Sequence, residues 1–294
     1  MKKTISLFLL TLFVALNAQQ TANRFFYELT FKPKKDSTRT EKVMTSLDIV
    51  PEKSIYQDFT VPAQDSIIKM EVEAMEKNGV WKDIMKSIRM PKFSHKIEKK
   101  YPDMKVTYSD QISMKRFGYE EADKMSWTIL PQKEKIGEYP TQKATTEYGG
   151  RKWTAWFTTE IPFPDGPYKF AGLPGLIVKV EDDQQNYSWT LKGNKKIANW
   201  EEQSYAEKIN AKYGMSQNVV VVARDKFEKS LENFKADPLA EMRPYMTPEM
   251  MGRKMPGSDK TVGEFIKDQE KFAKDFYGSN NNPIEIAQPS AKKK

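Results

Sequence analysis

The 294 residues include 48 Lys and Arg against 40 Asp and Glu, a formal net charge of +8, with one histidine and no cysteine. The missing thiols exclude disulfides and cysteine-based metal sites, and a single histidine cannot supply an ordinary zinc centre. Lysines alternate with acids, as in KPKKDSTRTEK and HKIEKKYPDMK, which describes a solvated surface and not the one-sided basic face of a nucleic-acid binder.

The chain opens with MKKTISLFLLTLFVALNAQQ. Lys2 and Lys3 precede an apolar run from Ile5 to Leu16, followed by the small Ala18. Such a run is shorter than the ~20 residues of a membrane span and reads as a secretory signal cut after Ala18, so that 1–18 is removed. Taking Lys2 and Lys3 from the 48 basic residues leaves 46 against 40 acidic, a net +6. No cysteine follows to carry a lipid anchor, and no second stretch reaches membrane length. The expectation is a soluble exported protein of the periplasm, the outer-membrane surface or the medium, not integral to the membrane.

Residues 24–32 and 42–50 read as strands joined by a polar turn, being rich in aromatic and β-branched residues. Residues 63–90 read as a helical insertion. Asp65 caps a helix carrying Ile68, Val72 and Met75, and a second run spaces Trp81, Ile84, Met85 and Ile88. Strands follow around 93–97, 106–112, 126–130, 139–148, 151–160, 175–182 and 186–194, separated by Gly/Pro and polar turns. After Trp200, EEQSYAEKINAKYG reads as helix and Val219–Val222 as a buried strand. Asp225 and Glu228 read as a capping box, and 237–258 as an irregular Pro- and Met-rich segment. Thr261 and Glu264 cap the clearest helix, which carries Phe265, Ile266, Phe272 and Phe276 on one stripe and ends at Gly278. The tail 279–294 reads as disordered. Together these predict one mostly β (α+β) domain over 19–278: a curved antiparallel meander or half-barrel of roughly eight to ten strands with helices packed on it.

The most specific signal lies in 136–183: Gln142-Lys-Ala, Gly150-Arg-x-Trp153, Ala155-Trp-Phe-Thr158, Glu160-Ile-Pro162, Gly166-Pro-Tyr-Lys-Phe170, then Gly172-Leu-Pro-Gly-Leu-Ile177. This ordered series resembles the GLPGLI family of exported proteins from Bacteroidetes. The resemblance implies an envelope protein, with no agreed catalytic residues, and a partner among outer-membrane or periplasmic proteins. Members often carry a cysteine near the place of Thr141; a role resting on that thiol is excluded here. The meander is also similar to the half-barrels of LolA-like lipoprotein carriers, a likeness of fold that assigns no function.

Leu173-Pro-Gly-Leu176 suits a type II turn, with Gly166, Pro167, Gly172, Pro174 and Gly175 as its structural residues. The alternative is a binding lip presenting Phe170, Leu173 and the neighbouring tryptophans. In strand 151–158, Trp153, Ala155 and Phe157 point one way and Trp156 the other. Helices cover that second side, or it lines a groove with Trp127 and Trp189 for a lipid or peptide.

Catalytic machinery is sparse. His95 alternates with Phe93 and Ile97 as a half-buried sheet histidine, with no nucleophile motif beside it. Gly252 and Gly257 have phosphate-loop spacing without the required lysine. No cofactor is expected. Met242, Met246, Met250, Met251 and Met255 offer thioethers that suit Cu(I), or simply fill gaps. The leading expectation is a non-catalytic envelope protein that binds a partner or an apolar ligand. The alternatives are a carboxylate-dependent hydrolase, with two acids facing each other and raised pKa values, and Met-based copper handling.

Overall fold

The computed structural model describes residues 20–286 except 81, 83, 85, 86, 114, 123, 213–217 and 256–257. The chain begins with β1 (Ala22–Phe31), β2 (Glu41–Val50) and β3 (Lys53–Asp58), then α1 (Thr60–Asn78). A run of strands follows: β4 (Lys96–Lys100), β5 (Lys105–Ile112), β6 (Lys115–Glu120), β7 (Thr128–Ile136), β8 (Tyr139–Tyr148), β9 (Arg151–Thr158), β10 (Leu176–Asp182) and β11 (Tyr187–Ile197). The remainder supplies α2 (Tyr205–Lys212), β12 (Val220–Val221), α3 (Arg224–Ala236), α4 (Pro248–Gly252) and α5 (Val262–Ser279).

All strands join one open sheet in the order β12-β6-β5-β4-β3-β2-β1-β11-β10-β9-β8-β7. Neighbours run antiparallel except β12, which lies parallel to β6, so the sheet is mixed. Alternation drives the inner face: along β1, Phe25, Tyr27, Leu29 and Phe31 turn inward with the two-residue period of a strand. That face is concave. Trp189 on β11 and Tyr56 on β3 stand three strand spacings apart, roughly 14 Å in a flat sheet. Their side chains nevertheless meet, with the indole donating to the Tyr56 hydroxyl at 2.8 Å.

The hollow is filled by the chain itself. The connection 159–175 between β9 and β10 turns inward, and residues 165–171 are all buried. The predicted type II turn does not form. Gly175 has φ +154° where a type II turn needs about +80°, and its N–H donates to the Leu173 carbonyl at 2.8 Å while Leu176 N–H reaches the Ile161 carbonyl at 3.0 Å. Gly175 is required for close approach, since a Cβ there would lie 2.0 Å from the Thr158 carbonyl oxygen. At Gly172, with φ +92°, a Cβ would meet nothing within 4 Å. Gly175→Ala should therefore destabilise the fold by ~3 kcal/mol, at the upper end of overpacking costs. Gly172→Ala should cost only the ~1 kcal/mol of its backbone conformation. Equal costs in urea unfolding would contradict this reading.

Several expectations change. Twelve strands replace eight to ten, because β3 and β6 were unread. Of the helical run from Trp81, Ile84 lies in a 3-10 turn and 87–90 is not helical, while Trp81 and Met85 fall outside the described residues. The valines 219–221 are exposed, at 39 to 51%, because β12 only edges the sheet. Asp225 and Glu228 form no capping box: the cap of α3 is Ala223, two residues earlier, and Glu228 binds Arg224. Thr261 and Glu264 do form theirs. The tail expected to be disordered from 279 is docked through Ile286. Arg151 donates to the Pro283 and Ile284 carbonyls at 2.8 Å, and Asn282 and Ile284 are buried. Residues 287–294 lie outside the described residues. None of the described helices is long and apolar enough to cross a membrane.

Candidate functional site

The aromatic residues singled out in the sequence do converge, all but one, and their convergence makes a core. Trp153, Phe170, Leu173 and Trp189 are each at most 1% exposed. The Phe170 ring sits 4.7 Å from Trp153, 5.8 Å from Trp189 and 6.3 Å from the half-buried Trp127, whose indole donates to the Ala171 carbonyl at 2.8 Å. Trp153, Phe170, Leu173 and Trp189 have no free surface to offer as a binding lip. Trp156 lies on the opposite face, half-buried, with the Lys143 and Lys179 ammoniums 5.7 and 5.0 Å from its ring. Lysines cover this ring, where helices or a groove were expected; α3 packs instead on β5 and β6.

Burying a loop requires that its polar groups find partners. Lys99, wholly buried, pairs with Asp165 and donates to the carbonyls of Gly166 at 2.6 Å and Tyr168 at 3.1 Å. Asp165 also accepts from Ser54 at 2.6 Å and from Tyr101. Burial pushes the Lys99 ammonium pKa down, and the Asp165 charge opposes it.

A second ion group closes the other end of the loop. The Lys169 ammonium lies 2.6 Å from Glu121 and 2.5 Å from Glu285, with the rings of Tyr108, Tyr119, Tyr148 and Tyr168 within 6 Å. Arg224 binds both carboxylates from outside, at 3.0 and 2.7 Å. Two acids thus face one another, as a hydrolase would need. Burial pushes the Glu285 carboxyl up, but Lys169 and Arg224 outweigh it and hold the group below its usual range. A general acid requires the reverse. Among the described residues no group of three His, Asp or Glu side chains is placed to hold a metal. The five methionines are half-buried, and Met251 lies against Gly263 of α5.

The open clefts include two whose walls are mainly apolar. One, of about 420 Å³, has an almost wholly apolar wall formed by Val50, Pro51, Tyr101, Pro102, Met104 and Phe163, from three separate connections. In the sequence Val50 reads as a strand end and the others as turn punctuation or part of a charge run. The other, of about 360 Å³, lies among the segment ahead of β4, β5, α3, α5 and the docked C-terminal segment, and rings form a large part of its wall. His95 stands there, 7% exposed, just ahead of β4, with the rings of Phe93, Tyr108 and Tyr168 centred 5.3 to 5.5 Å away. Burial lowers its pKa to about 4, against the opposing pull of Asp110 and Asp58. The imidazole makes no hydrogen bond to any described residue, and neither nitrogen is sealed from the cleft.

The profile of a family described as "Protein of unknown function (Porph_ging)" matches residues 99–179, from Lys99 on β4 to Lys179 on β10. No curated protein matches the sequence. Similar solved structures include one described as "Structure of PNGF-II in P21 space group", with TM-score 0.46 and 13% identity over 72% of this chain and 33% of that one. A second, "Structure of PNGF-II in C2 space group", has TM-score 0.48 and 12% identity over 72% and 32%. The chain thus spans about a third of the length of these structures, and no functional argument rests on so partial an overlap.

Proposed function

We propose that this chain is an exported, non-catalytic binding protein of the cell envelope, of the GLPGLI type, that holds an acyl chain in its apolar cleft. The observation that carries the reading is that cleft: about 420 Å³, within the ~300–1,000 Å³ range of small-molecule sites. Its wall combines three prolines, which keep the trough open, with the flexible Met104, which adapts to an irregular chain. Each methylene buried there would contribute about 0.8 kcal/mol. The leader Lys2–Ala18 and the ordered motifs from Gln142 to Ile177 support the compartment and the family. The interior ions support a holding role, since Lys99, Asp165, Lys169 and Glu285 are engaged in keeping the loop and the C-terminal segment in place.

The test is binding of the fluorescent fatty acid cis-parinarate to the purified chain. Met104→Lys and Val50→Lys each place an ammonium in the apolar wall and should weaken binding at least tenfold. Met104 is only half-buried, so that variant should keep its unfolding midpoint. Absent binding, or affinity unchanged in both variants, would remove the acyl ligand from this cleft.

A further inference from the structure

The second cleft shares no lining residue with the first, and its chemistry differs. Its wall is built of rings from several elements: Phe93 and His95 before β4, Tyr108 on β5, Tyr119 on β6, Tyr168 on the inward loop and Phe227 on α3. Such a wall favours a flat apolar face, because ring pairs gain from stacked and edge contacts beyond simple burial.

The polar groups at the wall are nearly all committed. Arg224 is bonded to Glu121, Glu228 and Glu285. Asp110 accepts from Ser94 at 2.6 Å and from the Gln111 amide at 2.8 Å, and Lys92 pairs with Glu41 at 2.7 Å. With these ions neutralised by protein partners, the charge left at the cleft is that of Glu232 and Lys235, exposed on α3 and opposite in sign. His95 is the buried group that stays uncommitted: it is more than nine-tenths buried, faces the cleft, and has no hydrogen-bond partner among the described residues. A buried polar group left without a partner costs stability, and a neutral imidazole offers one donor and one acceptor to whatever enters.

We propose that the ring-lined cleft at His95 binds a neutral hydroxyaromatic molecule of one or two rings, its face against Tyr108 and Phe93 and its hydroxyl paired with the imidazole. The site is independent of the acyl cleft and stands or falls separately.

Because the chain has one histidine, ¹³C-histidine labelling gives a single imidazole signal for the test. Titration with p-cresol at pH 7 should move that signal saturably. Toluene, of the same shape without the hydroxyl, should bind about tenfold more weakly, the worth of one hydrogen bond. In His95→Phe, which keeps a ring in the wall, p-cresol and toluene should bind alike, followed on ¹³C-methyl methionine signals. An unmoved histidine signal, equal affinities in the natural chain, or a p-cresol advantage that survives in His95→Phe would each overturn the assignment. The comparison of the two probes on the natural chain decides the matter even if His95→Phe does not fold.

Discussion

Lys99→Met is expected to lower the unfolding free energy by ~3–5 kcal/mol, the cost of removing one partner from a buried ion pair. The loss has two parts. Asp165 is left as an uncompensated charge at zero exposure, and the carbonyls of Gly166 and Tyr168 lose their donor. The double variant Lys99→Met/Asp165→Leu removes the stranded charge and should recover part of the loss. It should not recover all of it, because the carbonyls stay unpaired and the Ser54 and Tyr101 hydroxyls lose their acceptor. Urea unfolding of the two variants checks both statements. A single-variant cost below about 1 kcal/mol would mean that the loop is held by its rings alone.

The second large effect is on acid stability. The His95 pKa is lowered to about 4 by burial, while the unfolded chain titrates near the ordinary 6.5. Between these values the unfolded state binds the proton and the folded state does not. Stability is therefore complete above pH ~6.5 and falls as the pH drops toward 4. The total is ~3 kcal/mol, because each pH unit between the two values contributes about 1.4 kcal/mol. Glu285, held below its usual range, adds a further loss only at lower pH, through the carboxylate region. No other histidine exists, so the slope between pH ~6.5 and ~5.5, above the carboxylate region, belongs to one side chain and should vanish in His95→Phe. Denaturation at stepped pH measures it; a flat profile in the natural chain would show that His95 is not desolvated.

What could be read from the sequence was the part written locally. The alternation of Phe25, Tyr27, Leu29 and Phe31 announces β1, and the Thr261–Glu264 box announces α5. Strand β3 escaped notice because Lys53, Gln57 and Asp58 dilute its apolar pattern; pairing with β2 and β4 makes it a strand. The rings of Trp153, Phe170 and Trp189 were visible as a group, yet their role depended on which side of the sheet the 159–175 connection entered. That choice turns on Lys99, which stands in a run of lysines and acids resembling solvated surface and is in fact wholly buried. Its partner Asp165 is distant in the chain, as Glu285 is from Lys169, and no local pattern couples such positions. The apolar cleft was illegible for the same reason: Val50, Tyr101 and Phe163 meet only after three separate connections are in place. His95 was legible as half-buried, but not as almost fully buried or unpaired, since both depend on what α3 and the C-terminal segment bring alongside.

The docked C-terminal segment has a consequence for the order of assembly. Glu285 bonds the Tyr168 hydroxyl across 117 positions of chain and supplies one of the two carboxylates beside Lys169. A polypeptide threading out N-terminus first would present Lys169 and its ring of tyrosines long before Glu285 emerges, and until then the ammonium has Glu121 as its one carboxylate partner, beside the Tyr119 hydroxyl. Completion of the interior thus waits for the segment that carries Glu285, which couples the closing of the hollow to a part of the chain far from the loop it seals.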